Sequence, residues 1–356
     1  MGPRPARLCI VAAPSVRYVW RPDDDDMTRL RYSELEGEFG RIAARDFTSQ
    51  FRGGYVRAEP CGAVLPKYYT EFGDRILDMT VHTDDHWIVS FPKSGTTWTQ
   101  EMVWCIQNDL DFEKAKIPLP ERFPFLEHSP LFDYRDILPR IPDLKLPLYV
   151  TNSVKYIDEM PSPRFIKTHI PWELLPRQIQ DGSVKPKVIY VARNAKDTCV
   201  SYYHHCKLLE GYKGSFDDFC KLFLGNSVCF SPFWSHILSF WDRRNEPNIL
   251  FLKYEDMKKD LPSVIRKTAK FLGKELNDSQ IDVLTNHLSF QNMKNNPSVN
   301  YEAVVEINRT YNLIAADGEF MRSGTVGEWK AKMSPELIDK FDKWEEENLK
   351  DTGLTL

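Results

Sequence analysis

The seven cysteines (Cys9, Cys61, Cys105, Cys199, Cys206, Cys220 and Cys229) form no CxxC pair and leave an odd one over. A zinc site or a disulfide framework therefore finds no support, and a reducing compartment is favoured. Basic excess is lacking too: the formal charge is -4, so nucleic acid is not an expected partner and any anionic ligand must be held by a local cluster of cations. No apolar run approaches the length of a membrane span; LCIVAAP at 8–14 is short and is followed by the acidic run Asp23 to Asp26. No signal peptide is read, so a cytoplasmic protein without membrane attachment is expected, and the sequons at Asn277 and Asn308 carry no weight. Internal repeats are absent, and the aspartates are the one low-complexity tract.

What is present is ordinary for a globular protein: 356 residues, 42% hydrophobic and 28% charged, enough for one large domain with a substantial core. Residues 1–62 show no sustained periodicity and read as an N-terminal extension, with Met27 a candidate alternative start; residues 63–356 read as the domain. Within it, short β-branched runs alternate with amphipathic segments, which predicts a single α/β domain with a central parallel sheet flanked by helices. The strongest strands are WIVSF (87–91), FIKTH (165–169), KVIYVAR (187–193) and ILFLKYED (249–256); helices are expected at 97–108, 196–210, 261–272 and 335–350. Long loops at 118–147 and 291–325 exceed simple connections. Ligands of such sheets bind beyond the carboxyl ends of the strands. Those ends carry Lys93, His169, Arg193 and Tyr254.

FPKSGTTW (91–98) is a strand, a glycine-containing turn and a helix start, an arrangement that aims backbone N–H groups and the helix dipole at an anion. Ser94, Thr96 and Thr97 add hydroxyls and Lys93 a mobile charge. It is not a Walker A loop, because its lysine precedes the glycine, and metal-dependent nucleoside triphosphate hydrolysis loses ground. By itself the stretch is also compatible with a lysine at an ordinary turn. RFIKTHIP (164–171) sets Lys167 and His169 two apart on a strand, hence on one face, and a neutral histidine suits the deprotonation of a hydroxyl; alone, it reads more readily as a surface or structural histidine. YVARNAKDTCVSYYHH (190–205) offers Arg193 and Ser201 to a phosphate, or Arg193 to Asp197 at the helix start. FMRSGTVGEWK (320–330) adds Arg322 and Gly324 in a flexible loop, while Phe290, Met293 and Trp98 either sandwich a purine or belong to the core.

In their order and spacing, FPKSGTTW, FIKTHIP, YVARNAKDTCVSYYHH, FLKYEDM, SFQNMKNNPSVNY and RSGTVGEWK resemble the cytosolic sulfotransferase family from about residue 65 to the C-terminus. NDLDFEKAK (108–116) and the N-terminal extension resemble the insect branch that includes the retinol dehydratases. The resemblance implies an α/β domain with a P-loop-like phosphosulfate-binding loop. It implies the donor 3'-phosphoadenosine 5'-phosphosulfate (PAPS), no metal, and transfer to a hydroxyl or amine of a small lipophilic acceptor in xenobiotic or steroid metabolism. Lys93, Ser94, Gly95, Thr96 and Thr97 would cradle the 5'-phosphosulfate. Arg193, Ser201, Arg322, Ser323 and Gly324 would lie at the 3'-phosphate, and Trp98, Tyr254, Phe290 and Met293 around the adenine. His169 would be the base, with Lys93 and Lys167 stabilising developing charge. ERFPFLEH (121–128) nominates Phe125 and His128 for the acceptor pocket, joined by Tyr203 and His205.

Three positions depart from the family pattern. Its Arg-Lys-Gly is Arg322-Ser323-Gly324 here, which removes one phosphate cation; a threonine beside the adenine is Leu288. The dimer motif KxxxTVxxxE survives only as Lys330, Ser334, Pro335 and Asp339, so a homodimer stays open. Two rivals accompany the sulfotransferase expectation. One is a dehydratase that eliminates a transient sulfate ester. The other is a catalytically idle nucleotide binder, supported by Ser323 and opposed by Lys93 and His169.

Overall fold

In the computed structural model, residues 29–49, 51, 53–314 and 318–356 are described. Cys9, Asp23 to Asp26, Met27 and the rest of 1–28 lie outside them.

Four short apolar runs form the expected parallel sheet. They are β4 (His86–Val89), β5 (Phe165–Thr168), β6 (Lys187–Ala192) and β7 (Ile249–Lys253), in the order β5-β4-β6-β7. Every residue of β4 is buried because helices cover both faces, which is why its sequence is a continuous apolar run and not an alternating one. Trp87 and Val89 fall in one core cluster, Ile88 in the other, as the two-residue period of a strand requires. The register sets Val89 beside Thr168 on one side and Tyr190 on the other, so the segments leaving β4, β5 and β6 emerge at one edge. The strand expected at 249–256 stops at Lys253, because Tyr254 opens a short helix, Tyr254–Lys259.

One expectation needs correcting. The described part of the extension is folded: β1 (Arg31–Glu34) and β2 (Tyr55–Glu59), with the helix Gly37–Asp46 between them, form an antiparallel three-stranded sheet with β3 (Ala63–Pro66), the first strand of the domain. Val64 exchanges backbone hydrogen bonds with Phe230 and Ser231, and Ile42, Ala58 and Ala63 join the main core. The pattern escaped periodicity analysis because the strands are four or five residues long and the exposed β1 has no apolar face. No helix among the described residues is long and apolar enough to cross a membrane.

Candidate active site

The chain leaves β4 through Ser90-Phe91-Pro92 and turns at Lys93, whose φ of 67° lies in the left-handed region, and at Gly95, φ 106°. A lysine there carries about 1 kcal/mol of backbone strain, the kind retained where a loop must take one shape. A side chain at Gly95 is barred twice over, since a Cβ would also stand 2.8 Å from Tyr254 Cδ2. The helix Thr96–Gln107 then begins, and Ser90 Oγ lies 2.6 Å from Thr96 Oγ1. The Lys93 ammonium rests 4.1 Å above the Phe320 ring. Burial, reinforced by Lys167, Arg193 and Arg322, brings its pKa down to about 7.

At the end of β5, His169 is 7% exposed. Its Nδ1 stands 2.7 Å from the Ser90 carbonyl oxygen. A carbonyl only accepts, so Nδ1 carries the proton and Nε2 is left as the basic nitrogen. Burial and the neighbouring Lys167 hold the His169 pKa well below its ordinary value, so the ring is neutral at physiological pH. The Lys167 ammonium lies 4.3 Å from the Phe125 ring, and burial lowers its pKa to about 8. Beneath both sits Glu127, fully buried, which accepts from the Thr168 hydroxyl and, at 3.2 Å, from the His169 backbone N–H. Burial raises its carboxyl to about 7. On the other flank the His169 carbonyl accepts from His236 Nε2 at 2.8 Å, and His236 Nδ1 accepts from the Tyr190 hydroxyl at 2.8 Å. The histidine is thus pinned through its backbone from both sides.

Beyond β6, Arg193 is not paired with Asp197. Its guanidinium donates to the carbonyls of Lys93 (3.1 Å) and Thr325 (2.9 Å) and lies 4.3 Å from the Tyr254 ring. Asp197 instead accepts from the backbone of Gly327 at 2.7 Å, fastening the 322–329 loop to the helix Ala195–Leu209. In that loop Arg322 makes a two-pronged ion pair with Glu328, and Ser323 Oγ donates to Glu328 at 3.1 Å. Gly324 packs so closely that a Cβ would meet Phe290 at 2.4 Å. Trp98 is fixed by a 2.9 Å bond from its Nε1 to the Leu288 carbonyl.

These elements enclose one cavity of about 470 Å³. Of the residues nominated from sequence, Lys93, Gly95, Thr96, Thr97, Trp98, Phe125, His128, Lys167, His169, Arg193, Ser201, His205, Tyr254, Phe290, Met293, Arg322, Ser323 and Gly324 line it. Two do not. Ser94 is fully buried behind the loop, its hydroxyl without a partner among the described residues. Tyr203 is a correction: helical periodicity turns it away, onto Tyr212, Phe216 and Phe219, and His204 lines the cavity in its stead. Sequence reasoning also missed Glu127, Glu210, Phe320 and Glu328. Glu127 lay inside the quoted ERFPFLEH and Glu328 inside GEWK, but an acidic residue gives no sign of burial before the chain is folded.

The donor's chemistry fits what is here. Arg193 Nε, like Ser94 Oγ, is buried without a partner among the described residues, and Lys93, Lys167, Arg193 and Arg322 line a single cavity. Four cations gathered in one cavity suit a multiply charged anion.

The sulfotransferase domain family matches residues 83–353. Luciferin sulfotransferase of Photinus pyralis is 43% identical over 321 residues, covering 90% of this chain and 86% of its own. Sulfotransferase 1E1 of Homo sapiens is 36% identical over 296 residues, covering 82% of this chain and 93% of its own. Among solved structures, retinol dehydratase in complex with androsterone and inactive cofactor PAP superposes with a TM-score of 0.82 at 33% identity, covering 92% of this chain and 98% of that one.

Proposed function

The chain belongs to the sulfotransferase family, and on that premise we propose that its cavity transfers the sulfuryl group of PAPS to a hydroxyl of a small lipophilic acceptor. One observation carries the reading: a neutral histidine with a basic Nε2 and two lysines of lowered pKa line the same cavity as two arginines and a set of aromatic rings. When bound, the donor supplies the sulfuryl group and leaves as PAP. His169 Nε2 accepts the acceptor's proton as its oxygen attacks. Lys93 and the loop N–H groups hold the charge that develops on the departing phosphate, and Lys167 holds the transferring group. Arg193, Ser201 and Arg322 hold the 3'-phosphate, a group with no counterpart in ATP. Phe125 and His128 border the acceptor, His128 with its Nδ1 3.3 Å from the Val150 carbonyl. Retinol and androsterone, named with the retinol dehydratase structures, are apolar skeletons with a hydroxyl, in keeping with such walls.

The test is transfer of radiolabel from PAPS to a panel of phenols, steroids and retinoids. Labelled ester supports the reading; tight PAPS binding without transfer to any acceptor defeats it. The likeness to retinol dehydratase favours a second outcome, in which the ester is eliminated. Free labelled sulfate accompanied by a dehydrated product identifies that one.

The charge state of Lys93 makes donor affinity pH-dependent. With a pKa of about 7 in the free protein, the ammonium is charged below pH 7 and neutral above it, whereas a bound anion raises its pKa. Binding therefore takes up a proton above pH 7, and PAP affinity should fall there by up to about tenfold per pH unit. PAP's own phosphates are fully ionised in that range, their second pKa being near 6. Calorimetry in buffers of differing ionisation enthalpy reads the proton uptake, and Lys93→Met should remove the fall that begins at pH 7, leaving the later one from Lys167, whose pKa is about 8.

Ser323 leaves the 3'-phosphate end one cation short, and Glu328 already neutralises Arg322 there. Ser323→Lys should tighten PAP by about tenfold, the worth of one charge-assisted hydrogen bond. The gain should shrink in high salt.

A further inference from the structure

His169 is not the only neutral imidazole in the cavity. His205 projects from the helix Ala195–Leu209 and lines the same space, with the Phe320 ring 5.9 Å away and Leu208 and Leu209 close by in sequence and on the same wall. Its Nε2 stands 3.3 Å from Glu210 Oε1. Glu210 is 4% exposed and also lines the cavity. Burial holds the His205 pKa down at about 4, with Lys93 and Lys167 adding to the effect and the Glu210 contact opposing it. The ring is therefore neutral and carries one proton. A carboxylate only accepts, so that proton sits on Nε2 and Nδ1 is bare. Nδ1 is buried, with no hydrogen-bond partner among the described residues.

A buried acceptor left without a donor is unfavourable, and a ligand hydroxyl in that place would satisfy it. His205 and His169 line the same cavity, so one bound molecule can reach both side chains. His169 takes the hydroxyl that reacts. Resting on the cavity's reading as the acceptor site, we propose that His205 Nδ1 accepts a hydrogen bond from a second hydroxyl of the acceptor, so that lipophilic diols and hydroxylated phenols are preferred over acceptors bearing only the reacting hydroxyl. Glu210 is the positioning residue that fixes the tautomer. The chemistry also rejects a carbonyl in the same place, because two acceptors would then face each other.

The test uses acceptor pairs that differ at the second hydroxyl: 4-(2-hydroxyethyl)phenol against 4-ethylphenol and an aliphatic diol against its mono-alcohol, which lose it, and estradiol against estrone, which carries a carbonyl in its place. Affinity for the full-length protein saturated with PAP is measured by calorimetry, and KM and kcat by transfer from PAPS. One net hydrogen bond predicts a preference of about fivefold for the hydroxylated member of at least one pair. The preference should fall below twofold in His205→Phe and recover in part in His205→Gln, whose amide oxygen accepts again. A wild-type preference below twofold in every pair, or one that survives in both variants, overturns the proposal. Absence of transfer to every acceptor would instead defeat the reading of the enzyme's function, while the binding arm still decides the role of His205.

Discussion

Lys93→Ala should lower kcat by about a thousandfold while weakening PAP by no more than about tenfold. The two figures differ because the lysine serves two states unequally. In the bound donor it is one of several cations around an anion, sharing the cavity with Lys167, Arg193 and Arg322, and because those remain, its loss costs the low end of a charge-assisted hydrogen bond, about 1.5 kcal/mol or about tenfold. As the sulfuryl group departs, negative charge concentrates on the phosphate oxygen at the turn of the loop, inside a water-poor cavity where a fixed donor counts for more; losing one such donor costs about 10²–10³ in rate. The lysine is also held in place in advance, with φ at 67° and its ammonium over the Phe320 ring. Lys93→Arg retains the charge but replaces a point with a planar fork, so it should recover binding more than rate. Single-turnover rates set beside PAP calorimetry separate the contributions. Equal losses in the two measurements would reduce Lys93 to a binding residue.

The parts of this site that were legible in the sequence share a property: they follow immediately on a strand or open a helix, so that local pattern alone brings them to the sheet's edge. Lys93, His169, Arg193 and Tyr254 each follow a short apolar run, and parallel pairing in the order β5-β4-β6-β7 converts four separated stretches into neighbours. Arg322 and Gly324 were legible for another reason, the composition of their loop. What stayed hidden depends on contacts across long sequence separations. Glu127 becomes informative only when it is found buried under Thr168 and His169, some 41 and 42 residues away. Arg193 looked as ready to pair with Asp197 as to bind an anion, until Asp197 was found capping the backbone of Gly327 and Trp329. Tyr203 and His204 differ by one position on a helix, about 100° of rotation, and a boundary uncertain by a residue cannot decide which of them faces the cavity.

His169→Ala should cost about 10³ in kcat with an aliphatic alcohol, within the 10²–10⁴ range of a positioned base. With a nitrophenol, largely ionised at pH 8, it should cost far less, because an acceptor that arrives as its anion has no proton to give. This dependence on the acceptor separates a base from a residue that merely shapes the pocket, whose loss would slow both substrates alike. The pH profile offers a second separation. Burial and Lys167 keep the imidazole neutral well below its ordinary range, so kcat/KM for an alcohol should show no acid limb from His169 between pH 6 and 7. An unperturbed histidine would lose activity there as it took up a proton. The depressed basicity has a cost in proton affinity, which the site offsets by geometry: Nδ1–H bound to the Ser90 carbonyl directs the lone pair of Nε2, and backbone bonds to Glu127 and from His236 hold the ring's attachment on either side. Glu127→Gln should accordingly lower kcat for the alcohol more than for the ionised phenol, echoing His169→Ala at smaller amplitude, since it loosens the base without removing it.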